Sequence, residues 1–230
     1  MNRTLITALT QARTERRSIA FAMRLTDGAE FLIPDPSAPP GLNEAGLSAL
    51  AQDKTGTEWV DGAPWFIEAR NPPPRLILIG AVHIAQALAP FAGLAGFDVT
   101  VIDPRRAFAT AERFPGVECL PEWPDTALAR LRPDRGTAIA ALTHDPKLDD
   151  PALDHALRSE AFYIGALGSR KTHAARLERL RALGHAPEAL ARIHGPIGLD
   201  IAAVTPAEIA LSIIAEIVAV RRGAHAAPPS

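Results

Sequence analysis

Short strand-like and helix-like segments alternate between residues 75 and 222, and this alternation restricts the chain to few folds. Residues 75–79 are a largely apolar run, as expected for a strand covered on both faces. A helical pattern follows at residues 83–94, and the next strand-like run lies at residues 97–102. Strands that alternate with helices in this way are usually parallel and joined by crossover helices. The pattern predicts an α/β fold, a mostly parallel sheet with helices on both faces.

The alternation continues with three further strand-like runs, at residues 117–120, 137–142 and 162–164. Between the last two, Asp150 and Pro151 predict a helix start, because aspartate is a favoured N-cap and proline suits the first helical position. An arginine-rich helical pattern follows the last of these strands. The region therefore predicts five strands with intervening helices.

The last predicted helix has the clearest boundaries in the chain. Residues 205–208 read Thr-Pro-Ala-Glu, a capping box with proline at the first helical position. Arg221 and Arg222 suit the negative end of the helix dipole, and Gly223 suits the C-cap. Isoleucines and valines form a broad apolar face along this helix. That face fits burial in the core and equally fits a homodimer surface.

Pro72-Pro73-Pro74 predicts a boundary between two domains, because consecutive prolines are stiff and cannot continue a helix. Residues 1–71 are expected to form a small N-terminal α/β unit, in which Asn43 caps a short helix. Residues 72–222 form the larger predicted domain. Residues 223–230 are rich in alanine and proline and predict a frayed tail.

Composition excludes several classes of protein. Apolar residues make up 47 % of the chain, which is too many for a disordered protein, and the net charge of −2 disfavours a general nucleic-acid binder. No apolar run approaches the ~18 residues of a membrane span, and no secretory signal is recognisable. We expect a soluble, cytoplasmic protein. Cys119 is the one cysteine, and an inert, buried thiol is favoured there over a nucleophile.

Ligands of open α/β sheets bind beyond the carboxyl ends of the strands, so the loops there are the candidate site. Gly80 and His83 follow the first strand of the larger domain. A dinucleotide fingerprint, G-x-G-x-x-G, has only its first glycine in place here, because Val82 occupies the second and Ala85 the third. Valine at the second position obstructs close approach of a phosphate, which weakens the case for NAD(P).

Charged and polar residues follow the next strands. Asp103 ends the second strand, where an acid commonly binds a ribose, although an aspartate before proline also suits a simple turn. Arg105 could bind a phosphate or remain solvated. His144 and Asp145 follow the fourth strand. They suit acid–base chemistry or polar recognition, and a local turn is the alternative.

The loop after the fifth strand is the more persuasive anion site. It contains Gly165 and Gly168 and leads into a helix whose first turn carries Ser169, Arg170 and Lys171. Backbone N–H groups, a hydroxyl and two cations would converge there. The spacing is not that of a nucleoside triphosphatase, and a plain N-cap loop with exposed cations is the alternative.

A last candidate loop contains His194, Gly198 and Asp200. Its glycines and apolar residues suggest a shaped, buried loop, in which Asp200 would need a partner. His194 could approach His83 and His144, but no short ligand spacing supports a metal site. Hydrogen-bonding histidines are favoured, and no metal ligand or catalytic residue is assigned.

Seven blocks in a fixed order resemble the xanthine dehydrogenase accessory factor family (XdhC/CoxI type). The resemblance covers about residues 72–222 and implies a Rossmann-like domain. The blocks read LILIGAVHIAQ at 76–86, VTVIDPR at 99–105, RFP at 113–115, THDPKLDDPAL at 143–153, FYIGALGSRKT at 162–172, HGPIGLDI at 194–201 and TPAEIALSIIAEI at 205–217.

This resemblance implies a maturation factor rather than a turnover enzyme. It would bind molybdenum cofactor (molybdopterin), support its sulfuration with a cysteine desulfurase, and deliver it to apo-xanthine dehydrogenase or a related molybdenum hydroxylase. The chain departs from the family at Val82, where a glycine is usual, and its N-terminal unit lacks a glycine-rich stretch. Two other functions remain open, an NAD(P)-dependent oxidoreductase and a non-catalytic scaffold for the maturation complex.

Overall fold

The chain divides into two compact units, one ending at Pro72 and the other beginning at Pro73. This computed structural model describes residues 3–224, so most of the tail predicted at 223–230 lies outside the described residues. Among the residues described, no helix is both long and apolar enough to cross a membrane.

The smaller unit is an antiparallel sheet of four strands with two helices. Its strands are ordered β2-β1-β4-β3, and Leu42 of α2 packs in one core with Ile33 and Trp65 of the sheet. The elements are α1 (Arg3–Thr14), β1 (Ile19–Arg24), β2 (Glu30–Ile33), α2 (Pro40–Gln52), β3 (Gly56–Val60) and β4 (Ala63–Arg70).

Helix α2 begins before the predicted position. Pro39 is its N-cap and Pro40 lies in its first turn, so the prediction that Asn43 caps this helix was wrong. The Asn43 side chain instead accepts a hydrogen bond from the Asp35 N–H at 3.0 Å and donates one to the Asp35 carbonyl at 2.6 Å. Asn43 therefore anchors the loop that precedes the helix.

The larger unit is a six-stranded parallel sheet with helices on both faces, which confirms the predicted fold class. Along the sheet the strands are ordered β7-β6-β5-β8-β9-β10, so the chain runs outward to one edge, returns to the centre and runs to the other. This is the strand order of a Rossmann fold, whose switch point lies between β5 and β8. The elements are β5 (Arg75–Ile79), α3 (His83–Leu94), β6 (Asp98–Ile102), β7 (Glu118–Leu120), α4 (Pro124–Leu131), β8 (Thr137–Ala141), α5 (Pro146–Arg158), β9 (Tyr163–Ala166), α6 (Arg170–Ala182), α7 (Pro187–Leu190), β10 (Ile193–His194) and α8 (Pro206–Arg221).

Side chains of the central strand β5 alternate between two cores. Leu76 and Leu78 pack with residues of α3 and α8 on one face of the sheet. Ile77 and Ile79 pack with residues of α4, α5 and α6 on the other. Because successive strand residues point to opposite faces, a strand with four consecutive apolar residues, 76–79, must be covered on both sides.

Helix α5 begins earlier than predicted. Asp145 is the N-cap and Pro146 lies in the first turn, whereas Asp150 and Pro151 lie inside the helix. The Asp150 carboxylate accepts two hydrogen bonds from Arg179 of α6 instead, at 2.5 and 3.0 Å. The helix start predicted at Asp150 was therefore wrong, and Asp150 pairs two helices.

Helix α8 has the capping box that the sequence predicts. The Thr205 hydroxyl accepts from the Glu208 N–H at 3.3 Å, and the Glu208 carboxylate accepts from the Thr205 N–H at 2.8 Å. Ile213 and Ile217 are fully buried in the core, whereas Val218 is exposed. Burial thus accounts for the inner part of the apolar face.

Replacing Thr205 with alanine should destabilise α8. The variant loses the acceptor for the Glu208 N–H, and loss of an N-cap costs about 1 kcal/mol. We expect a lower urea midpoint and faster hydrogen–deuterium exchange in the first turn of α8. Thr205→Ser retains the hydroxyl and is the control. Equal exchange rates in both variants would contradict the capping role.

Candidate functional site

Loops that follow β5, β8 and β9 pack together at the carboxyl edge of the parallel sheet. A Cβ placed on Gly80, after β5, would overlap the Cγ2 atom of Thr143, after β8. A Cβ placed on Gly168, after β9, would lie 3.7 Å from Nδ1 of His144. Motifs that are far apart in the sequence therefore occupy one region, beside the switch point of the fold.

Asp103 is fully buried, and its carboxylate is bonded within the protein. It accepts from the Ala81 N–H at 2.9 Å and from the Arg105 guanidinium at 2.9 and 2.7 Å. Burial would raise the pKa of Asp103, but the hydrogen bonds from Arg105 and Ala81 outweigh it and lower that pKa. Asp103 thus joins the loops after β5 and β6, and ligand binding by its carboxylate stays a prediction.

Arg105 carries its charge at the same edge. Its pKa is raised mainly by the hydrogen bond to Asp103, with a contribution from the charge of Asp145. The guanidinium also lies over the Phe108 ring, 4.7 Å from the ring centroid. Its neighbour Arg106 is exposed as well.

The loop after β5 forms a tight turn and does not have the geometry of a dinucleotide fingerprint. Gly80 has a φ of +102°, a conformation that favours glycine, and its N–H donates to the Ile102 carbonyl at 2.8 Å. Val82 is the N-cap of α3 without a side-chain cap, and it packs against the core. His83 is exposed at the first position of the helix.

The loop after β8 is organised by local hydrogen bonds. Asp145 accepts from the Lys147 N–H at 3.0 Å, which is the N-cap contact of α5. The Thr143 hydroxyl donates to buried Asp149 at 2.6 Å. His144 is exposed in the left-handed conformation, with a φ of +62°. The local-turn interpretation of Asp145 is therefore the one observed, while the His144 ring remains accessible.

The N-terminus of α6 presents the predicted cationic cluster to solvent. Ser169 is the N-cap, and its hydroxyl accepts from the Thr172 N–H at 3.2 Å. Arg170 and Lys171 occupy the first turn, and both are exposed. Gly168 precedes them with a φ of +134°, a conformation almost restricted to glycine. The loop, the helix dipole and the two cations all favour an anion here.

Two glycines of the predicted site pack against neighbouring elements instead. Gly165 lies inside β9 rather than in a loop, and a Cβ there would overlap the Ile197 side chain. Gly198 has a φ of +94°, and a Cβ there would overlap the Ser212 hydroxyl. Both glycines allow the loop after β10 to approach the sheet and α8. Contact with a ligand is not needed to explain them.

Asp200 is not buried, so its carboxylate has no desolvation cost to offset. It is exposed, and its one hydrogen bond within the described part of the chain is from the Ala202 N–H at 3.4 Å. The loop is buried at Ile197 rather than throughout. The partner expected for Asp200 in a buried loop is therefore not required.

A buried ion pair that sequence reasoning missed lies beneath the loops after β8 and β9. Asp149 and Arg176 are 1 % and 2 % exposed, and their charged groups are 3.6 Å apart. The guanidinium also donates to the Leu167 carbonyl at 2.8 Å. Burial lowers the pKa of Arg176 and raises that of Asp149. Nothing in the arginine-rich pattern of α6 distinguishes Arg176 from its exposed neighbours.

Glu216 is a second residue that was missed. Its carboxylate, nearly buried in α8, accepts from the Tyr163 hydroxyl, from His194 Nδ1 at 3.1 Å and from the Gly198 N–H at 2.8 Å. One signal could have revealed it, because a lone acid inside an apolar helical face is costly without partners.

The remaining sequence candidates are the Cys119 thiol and a histidine metal site. Cys119 lies in β7 and is half-buried rather than fully buried, and burial followed by the charge of Glu118 raises its pKa. Among residues 3–224, no group of three or more histidine, cysteine, aspartate or glutamate side chains is placed to hold a metal ion. His83 begins α3, His144 follows β8, and His194 ends β10.

This fold, together with the ordered loops at its carboxyl edge, defines a Rossmann-type domain. Residues 76–217 match the family described as the XdhC Rossmann domain. The match covers more than half of the chain, and the protein belongs to the XdhC family.

Three curated bacterial proteins are similar to the chain. YqeB of Escherichia coli (strain K12) is 35 % identical over 80 % of this chain and 34 % of its own length. A probable xanthine dehydrogenase subunit of Bacillus subtilis (strain 168) is 35 % identical over 68 % of the chain and 46 % of its own length. The molybdenum cofactor insertion chaperone PaoD of E. coli (strain K12) is 33 % identical over 66 % of the chain and 41 % of its own length. The chain thus spans between a third and a half of these relatives.

A solved structure extends the likeness to both units. The crystal structure described as a xanthine dehydrogenase from Bacillus halodurans is similar with a TM-score of 0.71 and 26 % identity. The superposed region includes 99 % of this chain and 66 % of the B. halodurans chain.

Gly80→Ala should destabilise the larger unit by about 3 kcal/mol. A side chain at positive φ costs ~1–2 kcal/mol, and a Cβ that overlaps Thr143 adds ~1–3 kcal/mol. Adding Thr143→Ser removes the opposing methyl group, retains the hydroxyl bonded to Asp149, and should restore about half of the loss in urea denaturation. No recovery in the double variant would contradict the packing explanation.

Asp103→Asn should weaken the protein in a pH-dependent way. Because the folded-state pKa of Asp103 is lowered, its contribution is present above the unfolded pKa of ~3.9 and is lost as pH falls through the lower folded value. We expect a deficit of about 1–3 kcal/mol at pH 7 that shrinks below about pH 4. Urea denaturation across pH measures it, with exposed Asp200→Asn as the control. A deficit that is constant from pH 7 to pH 2 would contradict this role.

Proposed function

We propose that this chain binds molybdenum cofactor and supports its sulfuration and insertion into xanthine dehydrogenase or a related molybdenum hydroxylase. Membership of the XdhC family, with similarity to a molybdenum cofactor insertion chaperone, is the observation that carries the proposal. The chain would act as an accessory factor and carry the cofactor as cargo.

The N-terminus of α6 fits the phosphate of molybdopterin. In an α-helix the N–H groups of the first turn have no carbonyl partner within the helix, so those of Arg170 and Lys171 are directed toward incoming ligands. Both side chains are exposed beside them. The phosphate is a multiply charged anion, which two cations and a helix N-terminus together stabilise.

NAD(P)-dependent oxidation is the competing function, and the geometry supports it less well. The strand order is suitable for a dinucleotide. However, Val82 stands at the second fingerprint position, and the Asp103 carboxylate, which would bind the ribose, is bonded to Arg105 and Ala81. A dinucleotide would have to displace these contacts.

The partners follow from the same proposal. We infer that the chain meets an apo-molybdenum hydroxylase of the xanthine dehydrogenase type and a cysteine desulfurase, and that it does so in the cytoplasm. A purely structural scaffold would bind both proteins without the cofactor. Calorimetry with molybdopterin, NAD⁺ and NADP⁺, followed by activation of the apo-hydroxylase, distinguishes the three functions. Binding of NAD(P) alone, or of no small molecule, would reject cofactor delivery.

The double variant Arg170→Ala and Lys171→Ala should raise the Kd for molybdopterin roughly tenfold. Two exposed cation–phosphate contacts together contribute about 1.4 kcal/mol. The double variant Arg158→Ala and Arg181→Ala is the matched control. It also removes two exposed cations, but these lie at the C-terminal ends of α5 and α6, whereas the proposed phosphate site is at the N-terminus of α6. Equal affinities of the two double variants would exclude the N-terminus of α6 from the site.

A further inference from the structure

The Glu216–His194 pair presents an oriented histidine at the carboxyl edge of the sheet. His194 ends β10 and pairs with Gly165 of β9, so it lies at the edge where the other candidate loops begin. Next to it, Gly195 packs against His173 of α6, since a Cβ there would overlap the His173 ring. The histidine therefore shares its edge of the sheet with the N-terminal half of α6.

The imidazole ring of His194 is held on two sides. Its Nδ1 atom lies 3.1 Å from a Glu216 oxygen. Its ring stacks on Tyr163, with centroids 4.5 Å apart and an interplanar angle of 29°. Tyr163 is buried and donates its own hydroxyl to Glu216. Because both the ring plane and one nitrogen are fixed, the direction of the second nitrogen is fixed as well.

Glu216 determines which nitrogen of His194 carries the proton. Burial would raise the pKa of Glu216, but the hydrogen bonds from His194, Tyr163 and Gly198 outweigh it and lower that pKa. The pKa of Tyr163 is raised well above its ordinary value by burial and by Glu216, so the phenol keeps its proton. An ionised carboxylate only accepts hydrogen bonds. Nδ1 must therefore donate, which leaves Nε2 of the neutral ring as an acceptor.

The accessible part of this cluster is the histidine. Its side chain is 31 % exposed, compared with 10 % for Glu216. Within the described part of the chain, His194 makes its hydrogen bond through Nδ1. Nε2 makes none there, and it is not one of the side-chain atoms that are buried without a partner, so it is open to solvent. A packing role would be complete with Nδ1 and the stacked ring. The oriented Nε2 atom is an additional feature, suited to a ligand.

We propose that Nε2 of His194, oriented by Glu216, accepts a hydrogen bond from a ring N–H group of a bound heterocycle. This proposal rests on the proposed function, in which the heterocycle is the pterin of molybdenum cofactor. Its phosphate would lie at the N-terminus of α6, and its ring system would extend toward β10. The acceptor would distinguish a ligand with an N–H donor from one with a lone pair at that position, since two acceptors facing each other repel.

Glu216→Gln tests the proposal through the tautomer of His194. The glutamine oxygen can still accept from Tyr163 and Gly198, while its amide donates to Nδ1, so the ring proton must move to Nε2. ¹⁵N NMR of the labelled full chain at pH 8 should report protonated Nδ1 in the unmodified protein and protonated Nε2 in the variant. Protonated Nε2 in the unmodified protein would overturn the proposal.

Binding of molybdopterin supplies the second measurement. Glu216→Gln should raise the Kd roughly tenfold, because the acceptor becomes a donor. His194→Gln, which leaves Glu216 bonded to Tyr163 and Gly198, should weaken binding to a similar degree and serves if the first variant is unstable. Wild-type affinity in either folded variant would overturn the role of His194.

His185→Gln is the matched control. His185 forms a second carboxylate–histidine pair, with Nε2 2.7 Å from Asp154, but it follows the C-terminus of α6 and so lies at the opposite end of that helix. We expect the His185→Gln variant to bind molybdopterin with the affinity of the unmodified protein. Loss of binding in this variant equal to that in Glu216→Gln would overturn the specific role of His194. Absence of binding by the unmodified protein would instead reject the proposed function, while the NMR result would still decide the orientation of His194.

Discussion

Buried carboxylates hold the loops at the carboxyl edge of the parallel sheet. A carboxylate removed from water needs hydrogen-bond donors or a positive charge nearby. Here residues of the loops, of neighbouring strands and of α6 supply them. Asp103 is bonded to the turn after β5, and Asp149 to the Thr143 loop after β8. Glu216 is bonded to the segments at β9 and β10. Each acid ties a loop to a rigid element, so the positions of the loops depend on these contacts.

This arrangement separates the groups that shape the site from those that can meet a ligand. The anchoring acids are buried and already bonded, whereas Arg170, Lys171 and His144 are exposed at the same edge. His194 belongs to both sets, because one ring nitrogen is bonded to Glu216 and the other has no hydrogen-bond partner among residues 3–224. A ligand can therefore bind without dismantling the contacts that position its site, which favours a preorganised site.

Local sequence rules predicted five strands of the parallel sheet, the capping box and the cationic turn, but they missed the short strand β10. They also failed where two local signals competed. Asp145-Pro146 and Asp150-Pro151 are equivalent helix starts by sequence. The helix that begins at Pro146 buries Leu148 and Leu153 in the same segment, and this tertiary packing selects the earlier pair. Asn43 failed in a similar way, because its side chain meets the backbone of Asp35 rather than its own helix.

The sequence by itself determined the alternation of strands and helices, the Rossmann-type class and the cluster at residues 168–171, because periodicity, caps and glycine positions are local properties. Only the tertiary structure decided that Asp103 is bonded within the protein, that Asp149 pairs with Arg176, and that Glu216 orients His194. These pairs join residues that are close in space because of strand order and helix packing. No local rule contains that information, since a carboxylate's role depends on which donors the fold brings to it.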